Sequence, residues 1–319
     1  MLDARWQKRN VKVAITVTEN TSQSAYLNYE RTVDMNELLN KTLKEKGVLI
    51  AAHRGVSGGS IVENTVKSFI AAHNQGADIV EMDVVKTLDN KLVCIHDGME
   101  RRLFYLDWRY TPLHREKTVM RRHYYNASLV PLPEHINRFD DVLEALKGIC
   151  LINVDRCWNH FDLVFEAVLR HNMADQIIFK SPPKENFYKQ FEAQSTPFMF
   201  MPMVNDIAQI MIAESAKLNL VGFEIKFKEF SNPLAEPALI SRLRSEGKLL
   251  WVNMLNLTYT GHLYAGCDDN TSLLEGPGKG WGKLIDMGFN VLQTDWPAAL
   301  YNYLLTRGLR ELPDTPEKV

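Results

Sequence analysis

Eight short apolar runs, each followed by a stretch of helical character, constrain this chain of 319 residues more than any other feature. The runs are VLIAAH (48–53), DIVEMDV (78–84), ICLINVD (149–155), QIIFK (176–180), PFMFM (197–201), LVGFEIKF (220–227), LLWVNML (249–255) and NVLQTD (290–295). Between and after them helices are expected at Thr65 to Gln75, Phe139 to Leu146, Phe161 to His171, Pro183 to Gln194, Asp206 to Asn219, Pro233 to Glu246, Gly282 to Met287 and Pro297 to Arg307. Apolar strands alternating with helices specify parallel pairing through crossover connections, and eight such units read as a closed (β/α)8 TIM barrel. The pattern predicts an α/β fold with the barrel over residues 48–319 and an N-terminal extension, 1–47, packed on it. In that extension VKVAITVTEN reads as a short strand and MNELLNKTLKEK as an amphipathic helix closing the barrel bottom.

The second run carries an electrostatic anomaly. Residues two apart on a strand share a face, so Glu81 and Asp83 project together from an apolar strand. Two buried like charges are costly unless something positive sits between them, and a divalent cation is the obvious candidate. His53 and Arg54 end the first run and Asp155 ends the third, and in a barrel such strand ends converge on the catalytic mouth. Three carboxylates with oxygen donors only suit Mg2+ or Ca2+ rather than zinc. The histidines are then free for proton transfer. A tight turn at Asp89-Asn90 brings LVCIH back beside the second strand and so carries His96 to the site.

Two connections, 98–138 and 256–281, are long for a compact barrel and follow strands, which puts both on the catalytic face. The first interleaves Arg101, Arg102, Arg109, Arg115, Lys117, Arg121 and Arg122 with Tyr105, Trp108, Tyr110, Tyr124 and Tyr125. It reads either as a lid steering an anionic or polar head group, or as a packed loop with a solvated basic rim. A net charge of −2 argues against nucleic acid or an anionic membrane as a general partner. The four cysteines lack CxxC spacing and read as reduced. With no run long enough for a signal peptide or a membrane span, a cytoplasmic location without stable membrane insertion is the expectation.

Taken together, HRG (53–55), ENT (63–65), the Glu-x-Asp pair after Gly-Ala-Asp, the His-Asp at 96–97, PLPEHINRFDDVLEAL (131–146) and GFNVLQTDWP (288–297) resemble the glycerophosphodiester phosphodiesterase family over about residues 48–307. The resemblance implies a metal-dependent hydrolase of lipid and glycerol metabolism that splits a small anionic glycerophosphodiester into glycerol phosphate and an alcohol. By motif it implies His53 and His96 as the acid-base pair, Arg54 as a phosphate-binding arginine, and Glu81 and Asp83 as ligands of one divalent cation, Mg2+ or Ca2+. Asp155 stands where the family pattern has a glutamate, and keeps an oxygen donor. Cys157 stands where it has a lysine, so Lys180 is the candidate replacement for that charge.

Secondary expectations concern the residues around these. Asn64 is expected to cap the following helix, with Glu63 orienting His53 or Arg54. Glu224 contacts substrate hydroxyls if its strand register points it inward, and Trp251 resembles a position that is often aromatic in the family. Trp281 and Trp296 read as packing residues. Lipid phosphodiesters, as for a lysophospholipase D-like or phospholipase C-like enzyme, form the alternative substrate class and would call for an apolar rim in place of polar, basic loops. A non-catalytic binding barrel is the remaining class, which the two histidines, the arginine and the three acids oppose.

Overall fold

The computed structural model describes residues 35–106, 109–126, 128–255 and 262–312. Eight parallel strands, Leu49–Ala52, Ile79–Lys86, Leu151–Asp155, Ile177–Ser181, Met199–Val204, Gly222–Ile225, Leu249–Asn253 and Val291–Thr294, pair in chain order, and the last pairs with the first. The barrel is therefore closed, as the strand count predicts. Helices lie in the expected intervals, and Phe139–Leu146 forms over the very span read from the sequence.

Strand alternation sorts the side chains into two layers. Leu49, Ala51, Ile79, Leu151, Ile178, Met199, Leu249 and Val291 fill the barrel interior, and the helix Glu37–Lys46 adds Leu39 to them from below. Their neighbours Ile50, Ala52, Val80, Ile152, Phe179 and Phe200 face outward and pack against helix residues such as Phe69, Phe161 and Phe191. Toward the C-terminal strand ends the inward positions change from aliphatic to polar: Glu81, Asp83, Asn153, Lys180, Glu224 and Gln293 are all buried. That change of chemistry within one continuous parity is what makes the mouth a site.

The segment after the second strand is packed, not loose. Asn90 takes φ +59 in the predicted turn, and Leu92–Cys94 returns antiparallel beside the second strand. Beyond it a hairpin of His123–Tyr125 and Pro131–His135 buries Tyr124 with Leu103, Phe104, Val119 and Ile136 in a core of their own. All four cysteines are buried and free. No helix among the described residues is long and apolar enough to cross a membrane. The VKVAITVTEN segment, Trp108 and the start of the 256–281 connection lie outside the described residues.

Candidate active site

The HRG turn builds one wall of the mouth. Arg54 is left-handed at φ +54, which lets its backbone N–H donate to Glu81 Oε2 at 3.0 Å while the guanidinium turns to the acids. Its Nη1 donates to Glu63 Oε1 at 3.0 Å and its Nε lies 3.0 Å from Asp83 Oδ2. Gly55 follows at φ +76, and a Cβ there would sit 2.6 Å from the Ser68 carbonyl carbon. Both the dihedral and the close approach demand glycine. Gly55→Ala is accordingly expected to destabilise the fold by about 1–3 kcal/mol, read from a lowered urea midpoint, and an unchanged midpoint would contradict the tight-turn account.

Glu63 thus orients Arg54, not His53, and Arg102 from the packed insertion holds its other oxygen. Asn64 does not cap the helix. Thr65 does, in a reciprocal pair with Ser68, because Asn64 sits at φ +56 and turns its amide onto Asp83. Asn64 Nδ2 donates to Asp83 Oδ2 and Asn64 Oδ1 accepts from the Asp83 N–H, both at 2.9 Å. Burial alone would raise the Asp83 carboxyl, but the Arg54 charge and the Asn64 bond hold it below the usual range. At Glu81, burial with the neighbouring Asp83 charge outweighs the charges of His53 and Lys180 and pushes it up to about 7.

The two histidines occupy opposed environments. His53 Nδ1 meets Asp295 Oδ1 at 2.8 Å, which leaves Nε2 as its other ring nitrogen. Burial would lower this imidazole, yet the Asp295 bond and the Glu81 charge keep it above its ordinary value. Asp295 is in turn fixed by Asp269, a buried acid that accepts from the Asp295 N–H at 3.0 Å, from Trp281 Nε1 at 2.8 Å and from Thr294 Oγ1 at 2.8 Å. His96 Nδ1 bonds the Asp97 carbonyl at 2.8 Å, and Arg156 Nη2 lies 2.8 Å from His96 Nε2. Burial, reinforced by the Arg54 and Arg156 charges against that of Asp83, pushes His96 down to about 4.

Lys180, Glu224 and Trp251 do not reach the mouth as substrate contacts. Lys180 is 1% exposed, neither solvated nor open to phosphate, and its ammonium lies 3.3 Å from Asp155 Oδ2 and 2.9 Å from Glu224 Oε2. It also donates to Gln293 Oε1 at 3.3 Å and stands 5.0 Å over the Trp251 ring. Glu224 does point inward, but Lys226 holds its other oxygen at 3.0 Å, and Trp251 Nε1 is bonded to Gln293 at 2.9 Å. These residues form the floor beneath the site. Trp281 packs as expected, whereas Trp296 is 52% exposed.

For a divalent cation the donor chemistry fits and the carboxylates stand close, since Asp83 and Asp155 are register partners on adjacent strands and Glu81 shares the Asp83 face. Among the described residues, however, no three His, Cys, Asp or Glu side chains are gathered as a metal-holding group. Arg54 lies on Asp83 and Lys180 on Asp155. Glu81, raised by burial and by the Asp83 charge, is a carboxylate whose charged form an added cation would favour.

Sequence reasoning missed Asp295, Asp269 and Arg156, and it placed Arg102 in the basic insertion without its contact to Glu63. Asp295 had a signal, being the inward parity position that follows Val291 and Gln293 on the last strand. Arg156 had none, because its placement depends on a left-handed backbone at φ +60.

Comparison with known proteins places the barrel. Residues 200–304 match a family described only as a domain of unknown function. The uncharacterized protein YqiK of Bacillus subtilis is 34% identical over 145 residues, 41% of this chain and 57% of that protein. A glycerophosphodiester phosphodiesterase of Bacillus subtilis is 42% identical over 50 residues, 16% of this chain and 17% of that protein. The matches thus span little more than half the length of one curated relative and less than a fifth of the other. Among solved structures, a glycerophosphoryl diester phosphodiesterase from Parabacteroides distasonis superposes with a TM-score of 0.66 at 14% identity, covering 85% of this chain and 89% of that one. The glycerophosphodiester phosphodiesterase of Thermotoga maritima gives 0.58 at 20% identity, with 82% and 98% covered. An Oleispira antarctica phosphodiesterase in complex with the product sn-glycerol-3-phosphate gives 0.57 at 18% identity, with 80% and 96% covered. The chain therefore carries the barrel fold of the glycerophosphodiester phosphodiesterases, and the resemblance read from its motifs holds at the level of fold.

Proposed function

We propose that this protein hydrolyses small glycerophosphodiesters to glycerol phosphate and an alcohol. The observation that supports this best is the opposed setting of the two histidines around one arginine–carboxylate pair: His53 carries a carboxylate on Nδ1, and His96 faces guanidinium groups. In this reading His96 is neutral and takes the proton of the attacking hydroxyl, whether of water or of the substrate's own glycerol. His53, held protonated by Asp295, gives a proton to the departing alkoxide. An alkoxide is a poor leaving group, and each such transfer is typically worth ~10²–10⁴ in rate. Arg54, fixed by Glu63 and Asp83, faces the phosphate. The negative charge exposed as phosphorus becomes five-coordinate is where a fixed guanidinium acts most strongly.

One Mg2+ or Ca2+ belongs to the same reading, with Glu81, Asp83 and Asp155 as its protein ligands. When bound it would neutralise these acids and polarise the phosphoryl oxygen. The test is turnover by purified protein of a panel of glycerophosphodiesters and lysolipids, with EDTA and with Mg2+ or Ca2+ restored. The expected result is release of glycerol phosphate from the soluble diesters, lost with EDTA and recovered with metal. No turnover of any member under any condition refutes the enzyme reading, and turnover confined to lysolipids moves it to the lipid class.

A further inference from the structure

Arg156 is set apart from the other arginines of the mouth. Arg54 lies on Glu63 and Asp83, Arg102 on Glu63 and Arg109 on Asp97. Arg156 instead directs Nη2 onto His96 Nε2 at 2.8 Å, with its guanidinium 5.7 Å over the Trp158 ring. Its own N–H donates to Asp155 Oδ1 at 2.7 Å, and the left-handed backbone at φ +60 turns the chain sharply as it leaves the third strand. The side chain is exposed, so it is free to exchange partners.

An arginine on a base nitrogen opposes catalysis. A guanidinium keeps its protons at any working pH, so Nε2 accepts nothing while Nη2 occupies it. A phosphodiester monoanion is the stronger acceptor, because its bonds to guanidinium are charge-assisted and can be forked. We infer that Arg156 is a phosphate-contacting residue that rests on His96 in the free protein and moves to the anionic oxygen of the substrate on binding. The move uncovers His96 Nε2 for the attacking hydroxyl at the moment the phosphate is in place. The inference rests on the phosphodiester reading for its substrate, though not for the resting contact.

Two measurements that need no turnover test it: calorimetric binding of sn-glycerol 3-phosphate, and diethylpyrocarbonate labelling of His96 in ligand-free protein, read by peptide mass spectrometry. Arg156→Ala is expected to weaken glycerol phosphate binding roughly 10- to 100-fold and to raise KM by a similar factor. It should also speed labelling of His96, whose lone pair is uncovered, at an unchanged melting temperature. Arg156→Lys should recover part of the affinity but not the forked contact. Affinity within about twofold of wild type overturns the inference, whatever the labelling shows, and so does weakened affinity with unchanged labelling. If the wild type turns over no diester yet binds the anion through Arg156, the phosphodiesterase reading fails and this one stands.

Discussion

His53→Ala is expected to lower kcat on a soluble glycerophosphodiester by about 10²–10⁴ while leaving the melting temperature and divalent-cation affinity near wild type. His53 stands at the end of its strand, half-buried, with its ring bonded to Asp295, so its removal empties no core position. The loss falls on the proton delivered to the alkoxide. That cost is made only in the transition state, and it should appear in kcat with little change in KM. Asp295→Asn should reproduce a large part of it. An amide withdraws the charge that keeps the imidazole protonated, and a neutral ring whose Nδ1 only accepts from the amide NH2 is a far weaker acid toward the alkoxide. Activity within about threefold of wild type in His53→Ala would remove His53 from the acid role. A drop matched by lost metal binding would move it to the coordination shell.

The fold was legible because the barrel rests on hydrophobic pattern, which is local. Strand and helix intervals follow from apolar periodicity, and parity along each strand tells which residues look inward: 49, 51 and 53 on the first, 79, 81 and 83 on the second. The gathering of His53, Arg54, Glu81, Asp83 and Asp155 at one mouth follows from parity plus closure. Partner choice does not. Asn64 was readable as a helix cap because the sequence places it beside Thr65. Only the left-handed dihedral of Asn64, set by the turn after Glu63, sends its amide to Asp83 instead. Lys180 was read only as the replacement for a charge missing at Cys157, and its parity with Ile178 already placed it inside, where its ammonium lies 3.3 Å from Asp155. What the sequence lacked was depth along the barrel axis, which depends on strand stagger. Depth separates Lys180 and Glu224, fully buried, from His53 and Arg54 above them.

That depth sets the second large effect. Lys180→Met is expected to destabilise the protein by about 3–5 kcal/mol, because it leaves Glu224, itself 1% exposed, without its nearest cation and uncovers Asp155 as well. The ammonium has three directions and all are used, on Asp155, Glu224 and Gln293. Methionine fills the volume but satisfies none of them. Glu224→Gln on the Lys180→Met background should recover part of the loss, since it removes the stranded charge and Lys226 can hydrate. Urea unfolding of the single and double variants measures the coupling. Additive losses would mean the pair is not a unit. The acid dependence should change with it. Burial raises the Glu224 carboxyl, but Lys180 and Lys226 outweigh it and hold the group down to about 2 against an ordinary 4.5. Its stabilisation is therefore complete above about 4.5 and lost as pH falls toward about 2. Without Lys180 the depression shrinks, so the stability gap between wild type and Lys180→Met should narrow as pH drops through that window. A gap that stays constant from neutral to acid pH would show that the ammonium acts there by packing and not by charge.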